Sequence, residues 1–223
     1  MKLPHILLPA LAFLAAAAAP AGAVTYIVAP GAPDPGKLAT ETTFFTFDSA
    51  PTAGFSYSGN YDIVTGTSKN HYAAPAGDTT AFFYTSPEKP NGVATLNTLD
   101  LSTVSFYWGS VDDYNTVDVL GAGGATLTSI NGADFSPANG GQDTAHTNER
   151  IYITAGANEV ITGLRFHATG IAYEIDDVAG TLANGSNPST VPEPASWALM
   201  VAGFGLVGVG ARRRRGATMR VSA

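Results

Sequence analysis

The chain has no cysteine, so a disulfide, a thiol nucleophile and a cysteine-bound metal are all excluded. Basic residues are nearly missing from its long middle. Between Val24 and Val191, Lys37, Lys69, Lys89, Arg150 and Arg165 stand against seventeen Asp and Glu, a net of −12 within a whole-chain charge of −7. Phosphate binding needs a basic face, so nucleic acid is not an expected partner. Histidine is scarce as well: beyond the first 23 residues only His71, His146 and His167 remain, with no ligand-spaced pair for a zinc or hydrolytic centre. There is no Gly-x-Ser-x-Gly elbow. Gly121-Ala122-Gly123-Gly124 has no helix behind it and reads as a turn. No sustained helical period occurs between Val24 and Val191.

What is present begins with the two ends. Lys2, an apolar stretch from Ile6 to Ala19 and the small-x-small site Ala21-Gly22-Ala23 predict a secretory signal peptide over 1–23, cut after Ala23. At the other end, Ala195 to Ala211 is a 17-residue run without charge, long enough as a helix for about 25 Å at ~1.5 Å per residue. Arg212, Arg213, Arg214 and Arg215 follow and resist crossing a membrane, which puts that end in the cytoplasm and the acidic middle outside. Residues 216–223 form a short cytoplasmic tail.

Just outside the run, Pro192 and Pro194 disfavour helix and present Pro-Glu-Pro as extended chain. Pro192-Glu193-Pro194, then Trp197-Ala198, a glycine-rich apolar span and the arginine cluster together resemble a PEP-CTERM sorting signal over 192–215, in the variant with a Trp-Ala pair. The resemblance implies an exosortase substrate, exosortase being a membrane-embedded cysteine transpeptidase. It also implies an inner-membrane-anchored precursor with a periplasmic domain, destined for the envelope surface or extracellular matrix of an exopolysaccharide-making, two-membrane bacterium. An ordinary single-span anchor is the plainer reading.

The middle reads as short alternating runs divided by turn residues, which predicts an all-β ectodomain over 24–181 and a flexible linker over 182–191. The strand candidates are 24–28, 44–47, 55–57, 81–85, 93–96, 103–108, 116–120, 151–154, 160–168 and 171–176. Val104, Phe106 and Trp108 share one face as core, while Ser105 and Tyr107 are expected on a wet face. Ile161 and His167 are expected outward; Ile171, Tyr173 and Ile175 inward; Glu174 and Asp176 outward. Asn91-Gly92, Asn131-Gly132, Asn139-Gly140 and Asn184-Gly185 are candidate positive-φ turns. The fold expected is a β-sandwich. The stretch from Phe106 to Asn115, with Tyr173 to Val178, loosely resembles the jelly-roll ectodomains that precede such tails.

Two acidic pairs, Asp112-Asp113 and Asp176-Asp177, offer the hard oxygen ligands that calcium takes, without the spacing of an EF-hand. Exposed turn acids are the alternative. Tyr57, Tyr61, Tyr72, Tyr107 and Tyr114 would stack on sugars if they shared a wet face, and belong to the core otherwise. Enzyme activity is not expected. The function expected is that of an exported surface or matrix protein with a structural or adhesive role in the biofilm; a carbohydrate-binding module for exopolysaccharide is the alternative, and a secreted hydrolase a more distant one.

Overall fold

The computed structural model describes residues 23–184 except 143. Eleven strands lie among them, all paired antiparallel: β1 (Thr25–Pro30), β2 (Thr42–Phe45), β3 (Ser56–Gly59), β4 (Asp62–Thr65), β5 (Ala81–Thr85), β6 (Val93–Gly109), β7 (Asn115–Leu120), β8 (Thr126–Asn131), β9 (Glu149–Thr154), β10 (Ile161–Ala168) and β11 (Tyr173–Leu182). The signal peptide through residue 22, the linker from residue 185 onward and the apolar run lie outside the described residues. Among those described, no helix is long and apolar enough to cross a membrane.

Strand β6 belongs to both layers. Its first part pairs with β3 and β10, in a sheet that continues through β7 to β8. Its second part pairs with β9 and β11, in a sheet that runs from β1 at one edge to β5 and β4 at the other, with β2 also on β11. The sequence suggests two strands here, 93–96 and 103–108, yet the chain runs through the polar Asn97–Ser102 without turning. Asn91 and Gly92, at φ 70° and 54°, make the turn that launches it; a Cβ on Gly92 would lie 2.3 Å from the Ala168 carbonyl oxygen.

The two inner faces meet in one core. Phe166 of β10 packs edge-on against Phe106 of β6 and Tyr173 of β11, with centroids 5.6 and 5.1 Å apart, and Trp108 stacks on Tyr173 at 4.5 Å. Val104, Phe106, Trp108, Val117, Val119, Ile151, Ile153 and Ile175 are fully buried, as alternation requires. Strands β4 and β8 lie outside the runs the sequence suggests. Both end the strand order and hold few fully buried residues, so they leave little alternation to read.

The outer face of the second sheet departs from expectation. Ser105 (0 % exposed) and Tyr107 (2 %) point away from the core but are not wet, because residues 31–41, a Pro- and Gly-rich stretch with no strand pattern, lie across them. The Tyr107 hydroxyl donates to the Gly31 and Ala76 carbonyls, Tyr152 donates to the Gly36 carbonyl, and Ser105 donates to Glu41. Arg150, 1 % exposed, donates to Asp34 at 2.7 Å, to the Ser105 hydroxyl and to the Asp177 carbonyl. Three further expectations change. Ile161 is buried because the register with β6 shifts between it and Gly163; Ile171 is exposed, preceding β11; and Asn131, at φ −101°, caps a short 3₁₀ turn instead of making a positive-φ turn.

Truncating Arg150 leaves the Asp34 carboxylate of the covering segment uncompensated. Arg150→Ala is expected to cost about 3–5 kcal/mol in urea unfolding, whereas Lys69→Ala, on an exposed loop, should stay within about 0.5 kcal/mol.

Candidate functional site

Glu174 and Asp176 alternate on β11, so both side chains leave its outer face, as the sequence predicts. They are nevertheless 2 % and 4 % exposed, because the β4–β5 connection folds over them. The backbone N–H of Ala73 donates to Glu174 Oε1 at 2.9 Å and the Ser110 hydroxyl to Oε2 at 3.2 Å. The Asn148 side chain ties down the same connection by accepting from Ala76 N–H, and it also accepts from Ser110 N–H.

Above Glu174 lies a largely polar cavity of about 450 Å³, lined by residues 67–73, Ser110, Asp112, Gly140, Gln142 and Ile171–Ala172. Asp112 accepts from the Tyr114 hydroxyl at 2.6 Å, and Tyr114 also donates to the Ile171 carbonyl. Gly140, at φ 63°, passes so close to Asp112 that a Cβ there would lie 2.6 Å from its carboxylate. Asp113 is exposed and does not line this cavity.

The second acidic pair belongs to another pocket. Between Asp176 and Ala179 the register of β11 against β6 slips by one residue, and Asp177 sits at φ 51°. This bulge lets two successive carboxylates line one cavity, of about 200 Å³, together with Asp34, Asp78 and Tyr107. Nothing in the sequence marks Asp34, Asp78, Ser110 or Asn148, because the groups they meet at these sites, Arg150, Asp176, Glu174 and Ala76, lie far along the chain. Among the described residues, no three His, Cys, Asp or Glu side chains form a ready metal cluster.

The tyrosines do not share one wet face. Tyr107 is buried; Tyr57 and Tyr61 pack with Phe45 and Phe83; only Tyr72 lines the larger cavity. His167, expected to be solvated, joins Arg165 on Asp118 Oδ2, while Ser129 donates to Oδ1. Burial pushes the Asp118 carboxyl up, but hydrogen bonds from Ser129, Arg165 and His167 outweigh it and hold the group below the usual range. His71 pairs with Glu88 on the surface, and His146 lies in an exposed loop.

Burial pushes Glu149 up to about 7. It also pushes Glu174 up to about 8 against the opposing hydrogen bonds from Ala73 and Ser110. Both acids favour the proton in the folded state, so their contribution to stability is complete below about pH 4.5 and is lost as pH rises through about 7 and then 8. In chelator-containing buffer the melting temperature should therefore fall from pH 5 to pH 8.5. Glu174→Gln, which keeps an acceptor for Ala73, should flatten the upper part of that fall; parallel curves for the two proteins would contradict it.

Of the residues singled out from the sequence, Ala23 is described and exposed. Ala21, Pro192, Glu193, Pro194, Trp197, Ala198 and Arg212–Arg215 lie outside the described residues. No curated protein and no solved structure matches the chain. The model of the PEP-CTERM protein-sorting motif matches residues 190–215, the stretch that holds these last residues. Such a motif is a recognition signal for exosortase and marks an exported, membrane-anchored precursor sorted to the surface. By this match the chain carries a PEP-CTERM protein-sorting motif at residues 190–215.

Proposed function

We propose that this protein is delivered by exosortase processing to the envelope surface or extracellular matrix, where its jelly-roll-like sandwich acts as a structural or adhesive element of an exopolysaccharide biofilm. The observation that carries this reading is the order of parts: the last strand ends at Leu182 and the sorting motif begins at residue 190. The residues between them reach at most about 25 Å when extended, at ~3.3–3.6 Å each. A membrane enzyme acting at Pro192-Glu193-Pro194 then works close beside the finished domain.

The domain acts by contact and not by turnover. In support, Glu174 is buried with both oxygens engaged by Ala73 and Ser110, and Asp112 is held by Tyr114. The alternative, a carbohydrate-binding module, is favoured by the polar cavity, where Tyr72 offers a ring beside Ser110, Asp112 and Gln142.

Replacing Pro192-Glu193-Pro194 by alanines in the native host should leave an uncut precursor whose mass still includes Arg212–Arg215. A normal mature C-terminus in that variant would overturn the sorting mechanism. For the second reading, the full chain in detergent should be retained on the host's exopolysaccharide and lose at least tenfold in affinity with Tyr72→Ala. No retention by the unaltered chain would remove it.

A further inference from the structure

Two carboxylates meet at Thr80 with an oxygen each to spare. Asp78 Oδ1 accepts from both the Thr80 N–H and its hydroxyl at 2.7 Å, whereas Asp78 Oδ2 is buried with no hydrogen-bond partner. Asp176 is 4 % exposed; its Oδ2 receives only the same Thr80 hydroxyl, at 3.5 Å, and its Oδ1 receives nothing. Both residues line the cavity of about 200 Å³, with Asp34 and Asp177 beside them.

Among the described residues, no protein cation is free to neutralise this cluster. The Arg150 guanidinium is committed elsewhere, donating to Asp34, Ser105 and the Asp177 carbonyl. The Tyr107 hydroxyl faces the cavity from β6, but it donates to the Gly31 and Ala76 carbonyls. Burial pushes the Asp176 carboxyl up to about 9 with Asp78 within hydrogen-bond reach of it, so the pair must hold either a proton or a cation between its oxygens.

We infer that this pocket, framed by the β11 bulge and residues 76–80, is a divalent-cation site in which Asp78 and Asp176 are the protein's charged ligands and calcium is the ion bound. The chemistry selects the ion. All donors are hard oxygens, with no histidine or cysteine in the lining, which disfavours zinc. Two carboxylates do not complete a shell, so water and neighbouring oxygens fill the rest; calcium tolerates such irregular coordination, where magnesium demands a near-ideal octahedron. A site so sparsely charged belongs to the weak range of about 10⁻⁴–10⁻³ M seen in extracellular modules. Its role is to lock the β4–β5 connection onto β11. The site is independent of the sorting mechanism, so either can fail without the other.

The test uses the full chain in detergent, stripped with chelator and titrated with calcium chloride at pH 7.5. Saturable binding of one ion in the millimolar range and a rise in melting temperature are expected, with magnesium at least tenfold weaker. Asp78→Asn and the isosteric Asp176→Asn should each weaken calcium binding tenfold or more, and exposed Asp113→Asn should leave it unchanged. Terbium luminescence sensitised through Tyr107 reports occupancy without reference to stability, and circular dichroism checks that each variant is folded. No saturable calcium binding, or binding unchanged in both folded Asp78 and Asp176 variants, overturns the site. Equal binding of magnesium overturns the choice of ion.

Discussion

A full positive charge lies almost completely buried on the outer face of the second sheet, and the arrangement of that face depends on how Arg150 is neutralised. Its planar fork reaches three parts of the chain at once: Asp34 in the covering N-terminal segment, Ser105 on β6 and the Asp177 carbonyl at the β11 bulge. Each contact fixes one piece of backbone relative to the others. A lysine has the charge but lacks the geometry for all three. The sheet supplies side-chain donors and the overlying segments supply mainly carbonyls and carboxylates, so the layer above it holds together without a hydrophobic stripe of its own.

That layer explains which parts of the fold were legible in the sequence. Alternation located β5 to the residue and placed Val104, Phe106 and Trp108 correctly, because an inner face is recorded locally in every second residue. It also aimed Ser105, Tyr107, Glu174 and Asp176 correctly. It failed on their surroundings, since a periodicity of two says which way a side chain points and nothing about what lies there. Coverage by residues 31–41 and the β4–β5 connection arises from long-range hydrogen bonds with no local pattern. The bulge at Asp177 was hidden for the same reason: a one-residue slip depends on the partner strand.

The sorting tail was readable for the opposite reason. Pro192-Glu193-Pro194, Trp197, the uncharged run and the arginines act through their order along the chain, so their spacing is the whole message. The candidate sites in the sandwich are assembled from residues such as Asp78 and Asp176, or Ala73 and Glu174, separated by about a hundred positions. Only a closed fold brings these together. The composition did set one limit: with no cysteine available, no connection is fastened by a disulfide.

The pairing of β1 with β9 has a bearing on when the domain becomes whole. Its first strand and the segment after it bind residues such as Arg150 and Tyr152, 116 positions downstream of Asp34 and Gly36, and β11 fills the place beside β6 last in chain order. A polypeptide emerging N-terminus first must therefore wait for almost its entire length before the early portion finds its seat. The strand that completes the sheets and the C-terminal signal therefore follow one another closely along the chain, β11 ending at Leu182 and the motif beginning at residue 190.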